Sequence, residues 1–361
     1  MHELTRQHLE QYLSALEGRP VTVLASGRLD AIGSEEVKGY GYGVPLRIEY
    51  QPEGRPRRTA VLHTISPGPF GHEHMADRAQ ELLWSHRAFN RLPRHVRSLD
   101  VAGVKRSGAF VSLGDVEELC LLTGYADGQL YANDLERILH SGELTEQDVG
   151  RADALCDYLT EIHRVRGTDP GLYVRRIRDL IGHAQCIMGL IDSYPPDSEV
   201  SAAVLQEVET RALGWRWRLK PLTHRLRQVH GDFHPWNILF GTGNRFQLLD
   251  RSRGEFGDPA DDVACLSMNY VFFALQAGGG MEGCWRDLFL RFWRRYLERS
   301  GDLEMLKVVA PFFVFRCLVM AHPVWYPALP GGAREKLIAF ALAVLDRKEF
   351  DPEQVNRYCG A

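Results

Sequence analysis

The chain has 361 residues, enough for one large core or two lobes, and its 45% hydrophobic and 25% charged content is that of a folded globular protein, not a disordered one. A formal net charge of -4 gives no global pull toward nucleic acid or an anionic bilayer, so neither is an expected partner. No run approaches the roughly 18 apolar residues that cross a membrane, and the charged start MHELTRQHLEQYL lacks the apolar centre of a signal peptide. A cytoplasmic protein is expected. Its seven scattered cysteines contain no CxxC, which favours reduced thiols over disulfides or a structural zinc site.

The first twenty residues can form a short amphipathic helix. From about 21 to 128, brief β-branched and apolar runs alternate with Gly, Pro and charged clusters: VTVLA, PLRIEYQ, RTAVLHTI, VKRSGAFVSL and EELCLLTGY. Such runs predict strands and hairpins. One helical stripe, built on Met75, Ala79, Leu82, Leu83 and Ala88, interrupts them. After Tyr125 the pattern turns helical. Asn133 or Asp134 is placed to cap LERILH, and Thr145 with Asp148 to cap the helix after it. Single long helices fit LYVRRIRDLIGHAQCIMGLIDSY and SEVSAAVLQEVETRALGWRWRLKPL, and the region from about 260 to 345 is again aromatic-rich and helical, with VVAPFFVF reading as buried helix. The expectation is an α+β chain with a small antiparallel lobe, 1–125, and a mainly helical lobe, 126–361.

Two segments carry the chemistry, VHGDFHPWNILF (229–240) and FQLLDRSRGEFGDPADDVACL (246–266). WNILF and QLLD read as the strands of a hairpin turning at Gly241 to Asn244. That hairpin sets Asp232 and Asn237 before one strand and Asp250 at the end of the next. Two carboxylates and a carboxamide are an all-oxygen set, the kind hard Mg²⁺ takes along with water and phosphate oxygens.

The composite HGDxxxxN, a strand-end Asp and GDPxxDxA closely resembles the aminoglycoside phosphotransferase and choline kinase-like superfamily, relatives of the protein kinases. The resemblance implies a protein kinase-like bilobal fold and transfer of the γ-phosphoryl group of ATP, or of GTP, to a hydroxyl of a small-molecule acceptor, with Mg²⁺. It implies that Asp232 is the catalytic aspartate, that Asn237 and Asp250 hold the metal, that His230 buttresses the loop, and that Asp258 and Asp262 pin the next loop and helix. His163, in LTEIH, would pack and hydrogen-bond. In the small lobe the glycines Gly39, Gly41 and Gly43 stand where a phosphate-covering loop is expected. A lysine usual on the third strand is absent. TAVLHTI offers His63 in its place, with Glu81 as its carboxylate partner and Glu73 competing; Lys38, another basic residue, or none is the other reading. Backbone from Leu122 to Tyr125 would meet the nucleobase between the lobes.

Relatives that take aminoglycosides or choline need acidic or aromatic surfaces for cationic acceptors. Asp261, Glu282 and Asp287, with Trp236, Trp285, Trp293, Trp325 and Tyr326, are the candidates here, and Trp325-Tyr326 is the least helix-like pair. Trp215 and Trp217, beside arginines, either pack or face an anionic substrate. The chain is expected to be a monomer or homodimer. The missing lysine leaves a nucleotide-binding pseudokinase as the alternative, and the lack of HExxH weighs against a metal-dependent hydrolase. No APE-like segment comes after an activation loop, so a protein acceptor is the weaker choice.

Overall fold

The computed structural model describes residues 5–28, 42–69 and 71–360. They fall into two compact units, Met1–Thr123 and Gly124–Ala361.

In the first unit α1 (Arg6–Glu17) starts where the Thr5 side chain accepts the His8 N–H, and it ends on Gly18 at φ 65°. A side chain there would cost about 1–2 kcal/mol. An antiparallel meander comes next, β1 (Val21–Arg28), β2 (Leu46–Pro52) and β3 (Arg58–Leu62). Alternation turns Val21, Val23, Ile48 and Tyr50 inward against Leu9 and Leu13 of α1, which makes a small separate core. The unit is completed by α2 (Met75–Phe89) and a hairpin of β4 (Ala102–Val104) with β5 (Phe110–Ser112). Two expectations fail here. The run EELCLLTGY forms no strand, and Leu121 and Leu122 are 90% and 97% exposed. Apolar composition alone cannot supply the hydrogen-bonded neighbour that makes a strand. Strand β3 also ends at Leu62, one residue before His63.

The second unit opens with β6 (Gln129–Leu130) and α3 (Tyr131–Ser141), which begins ahead of the expected caps. In α4 (Glu146–Ile162) Thr145 and Asp148 form a reciprocal capping box, so aspartate fills the place more usual for glutamate. The helix expected over 172–194 is two, α5 (Pro170–Gly182) and α6 (Ile187–Ser193). The chain folds back between them so tightly that a Cβ on Gly189 would sit 1.9 Å from the Ala184 carbonyl oxygen. Then come α7 (Ala202–Leu219), β7 (Arg227–Gln228), β8 (Ile238–Phe240), β9 (Phe246–Leu248) and β10 (Phe256–Gly257). Strands pair in the orders β6-β8-β9 and β10-β7. The C-terminal part is α8 (Ala260–Gln276), α9 (Gly283–Ser300), α10 (Met305–Val308), α11 (Ala310–Met320), α12 (Gly331–Leu345) and α13 (Val355–Tyr358). Helices α8 and α11 are buried almost throughout. Small antiparallel sheets together with a predominantly helical second unit place the chain in the kinase-like α+β class. No described helix is long and apolar enough to cross a membrane.

Candidate functional site

The hairpin read from the sequence forms, with Ile238 opposite Leu248 and Phe240 opposite Phe246. Its ladder runs one step further, because the Leu249 N–H donates to the Asn237 carbonyl at 2.9 Å. Asn237 and the residue after Leu249 are thereby brought to the same end of the hairpin. That residue, Asp250, is exposed and has φ 44°. Left-handed backbone at a non-glycine residue is uncommon, and aspartate is among the side chains that tolerate it best.

The loop before β8 is held from three directions. Histidine 230 spans it: its Nδ1 accepts the Asp232 N–H at 3.2 Å, and its Nε2–H donates to the Leu249 carbonyl at 2.9 Å. This pattern assigns a neutral ring and ties Asp232 to the strand that carries Asp250. From α8, the two oxygens of the fully buried Asp262 accept the N–H groups of His230 at 2.8 Å and Gly231 at 2.7 Å. Burial pushes the Asp262 carboxyl up, but His163 and those two N–H groups outweigh it and hold it below its ordinary range. His163 is itself fixed by Tyr296 at 2.8 Å. Gly231 has φ 87°, which favours glycine, and a Cβ there would lie a tight 3.1 Å from the Cβ of Arg253.

The third direction is Arg316, from the middle of α11. Its guanidinium donates to Asp232 Oδ1 at 2.6 Å, to the Gly231 carbonyl at 3.1 Å and to Asp261 Oδ1 at 2.8 Å. Arg316 is 4% exposed, and its Nε has no partner among the described residues. The second oxygen of Asp232 is left with longer neighbours, His234 Nε2 at 3.7 Å and Arg253 Nε at 3.9 Å. Burial raises the Asp232 carboxyl, yet the Arg316 and Arg253 charges carry it below its ordinary value. Burial lowers His234 to about 4, so its ring is neutral in neutral solution. Asp261, by contrast, is pushed up by burial in spite of Arg316.

Asp258 makes a different set of contacts. Arg225 binds it through two nitrogens at 2.9 and 3.0 Å and also reaches Asp302, while the Tyr173 hydroxyl donates to it at 2.8 Å. Its contacts are those of a buried strut.

The remaining sequence candidates divide clearly. His63 is exposed, and the side chain that meets Glu81 is His72, at 2.6 Å and 5% exposed. No His63–Glu81 pair exists among the described residues. Gly43 lies against the segment after β3, where a Cβ would fall 1.9 Å from the Thr64 carbonyl oxygen; Gly39, Gly41 and Lys38 lie outside the described residues. Leu122 and Tyr125 are exposed. Trp285 and Trp293 are core, and Asp261 is spent on Arg316, whereas Trp325 is open to solvent. A cavity of about 190 Å³ beside Asp250 is lined by Tyr158, His230 and Arg251 among others. Arg316 escaped the sequence reading. Its one signal was a single charge within the apolar run APFFVFRCLVM.

A divalent cation fits this donor set. The Asn237 amide nitrogen is engaged on the Asp232 carbonyl at 3.1 Å, which turns its oxygen into the available group, and Asp250 adds an exposed carboxylate.

The phosphotransferase enzyme family matches residues 60–299, about two thirds of the chain. No curated protein matches. Among solved structures, a glucosamine kinase in complex with glucosamine, ADP and inorganic phosphate is 17% identical over 60% of this chain and 57% of its own, with TM-score 0.38. This chain thus spans little more than half of that protein's length. An amicoumacin kinase in complex with AMP-PNP, Ca²⁺ and Ami is 15% identical over 98% of this chain and 99% of its own, at TM-score 0.41. A choline kinase from Streptococcus pneumoniae is 13% identical over 94% and 98%, at 0.34.

Proposed function

The chain belongs to the phosphotransferase enzyme family, and from that membership we propose that it moves the γ-phosphoryl group of a nucleoside triphosphate to a hydroxyl of a small molecule. The observation that carries this reading is the hold on Asp232. One carboxylate oxygen is fixed by Arg316 at 2.6 Å, and the backbone on either side is fixed by Asp262 and His230. The other oxygen, Oδ2, is then the one that receives the acceptor hydroxyl.

A carboxyl kept below its ordinary range is ionised at neutral pH and is a weak base. Its first task is therefore to orient the hydroxyl in line with the phosphorus, taking the proton late, as charge moves off the attacking oxygen. Asn237 and Asp250 would hold Mg²⁺. When bound, Mg²⁺ and the nucleotide supply the phosphoryl group and neutralise charge on its oxygens. The His230 bridge keeps these two duties in register, since it joins the Asp232 N–H to the strand that ends in Asp250.

Transfer of label from γ-labelled ATP or GTP to pooled hydroxyl compounds tests the proposal. Asp232→Asn is expected to lower transfer by a hundredfold or more, about the value of a positioned acid–base group, while nucleotide binding survives. Unchanged turnover would remove Asp232 from the chemistry. A nucleotide-binding pseudokinase is the second reading, favoured by one observation: no lysine stands on β3, and Glu81 is engaged by His72. It calls for binding without transfer in the same assay.

A further inference from the structure

Two guanidinium groups reach Asp232, Arg316 at 2.6 Å and Arg253 at 3.9 Å, and a third, Arg176, lies beside Gly231. Arg316 lies between the carboxylates of Asp232 and Asp261. Arg253 comes no closer to a carboxylate than 3.9 Å, at Asp232 Oδ2; its other contacts are the Cys186 sulfur at 3.8 Å and the Phe315 ring at 4.7 Å. Arg176, half-buried on α5, makes no hydrogen bond or ion pair with any described residue.

Arg176 lies against three glycines. Cβ atoms placed on Gly231, Gly254 and Gly257 would lie 3.9, 3.7 and 3.6 Å from its guanidinium nitrogens. The Arg176 guanidinium thus lies within van der Waals reach of both the loop that carries Asp232 and the segment that ends in β10, and Gly231 and Gly254 have φ of 87° and 98°. The neutral His234 adds no charge. Glu255, next along the chain, is exposed and pairs with neither arginine among the described residues. Arg176, with no counter-ion among the described residues, and Arg253, held only by a 3.9 Å approach to Asp232, are both desolvated in part, and such a pair suits an oxyanion. They would repel the cationic acceptors that the family resemblance suggests.

We propose that Arg176 and Arg253 form an oxyanion subsite beside Asp232, and that the acceptor is a hydroxyl compound carrying a carboxylate or phosphate group. The subsite rests on the assignment of Asp232 as the group that orients the acceptor. Planar guanidinium pairs bind carboxylate and phosphate alike, through two parallel N–H donors. The nucleotide's own phosphates share that chemistry and are the competing source.

The test is titration of the full-length protein with inorganic phosphate while Mg²⁺ and AMP-PNP are saturating. Wild-type protein is expected to bind phosphate and to ignore choline. Arg176→Gln and Arg253→Gln are each expected to weaken phosphate about tenfold, the factor carried by one charge-assisted hydrogen bond, with AMP-PNP affinity held within about twofold. Arg176→Lys keeps the charge and should recover part of the loss, which separates ligand contact from misfolding. Variants that weaken AMP-PNP and spare phosphate would assign the arginines to the nucleotide and overturn the proposal. Choline bound in preference to phosphate would also overturn it. Failure of wild-type protein to bind AMP-PNP would strike the phosphotransferase reading instead, a different result from failure to bind phosphate.

Discussion

Replacing Arg316 by methionine removes a charge and keeps much of the side chain's apolar length. The change deletes hydrogen bonds of 2.6, 3.1 and 2.8 Å and strands two carboxylates whose side chains are only 14% and 13% exposed. Breaking a buried ion pair by removing one partner costs about 3–5 kcal/mol, because the remaining charge stays desolvated. The pH dependence arises from the same contacts. In the native protein the Asp232 carboxyl is held below its ordinary 3.8, so its contribution to stability is present above that value and lost as pH falls through the folded one. Without Arg316, burial lifts the folded value of Asp232 above the unfolded one and raises that of Asp261, already elevated, further. The loss in Arg316→Met is then greatest at neutral pH and shrinks as the medium approaches about pH 4. Urea unfolding at pH 7 and pH 5, monitored by tryptophan fluorescence, measures both effects. A loss below about 1 kcal/mol, or the same loss at both pH values, would refute the reasoning.

Asp250→Ala is expected to weaken Mg²⁺-dependent nucleotide binding and to leave stability little changed, since Asp250 is exposed; an unaltered Mg²⁺ titration would exclude it as a ligand. His234, lowered to about 4 by burial, stays neutral in the folded protein while the unfolded chain takes up a proton near 6.5. Stability should therefore fall as pH drops from about 6.5 to 4, and His234→Gln should flatten that part of the curve, read from melting temperatures. If His63 reaches phosphate, His63→Ala weakens nucleotide binding and His63→Lys preserves or strengthens it. No change in either, together with a loss in His72→Ala, would move that contact to the His72–Glu81 pair.

The geometry of the candidate site was legible where it is local in the chain. His230, Asp232, Asn237 and Asp250 lie within one loop and hairpin, whose spacing is set by a short turn and by register, and both can be read from residue order. Arg316 stands 84 residues from the aspartate it binds, and nothing nearby announces the partner. Only the oddity of one charge in an apolar helix could have pointed to it, since such a charge must find a counter-charge inside. The same limit explains Glu81. Its place on α2 was readable, but whether His63 or His72 meets it depends on how the chain enters that helix. The break between α5 and α6 stayed hidden because both pieces bury an apolar face with similar periodicity, and a close backbone approach at Gly189 leaves no periodic trace.

Phosphorus NMR of the wild-type protein with Mg-ATP or Mg-GTP and a pool of hydroxyl compounds, anionic, neutral and cationic, tests phosphoryl transfer most directly, with Asp232→Asn beside it. The expected result is a new phosphoester resonance that grows as the γ signal declines and is missing in the variant. Release of inorganic phosphate alone, at equal rates in wild type and Asp232→Asn and with every acceptor, would contradict it.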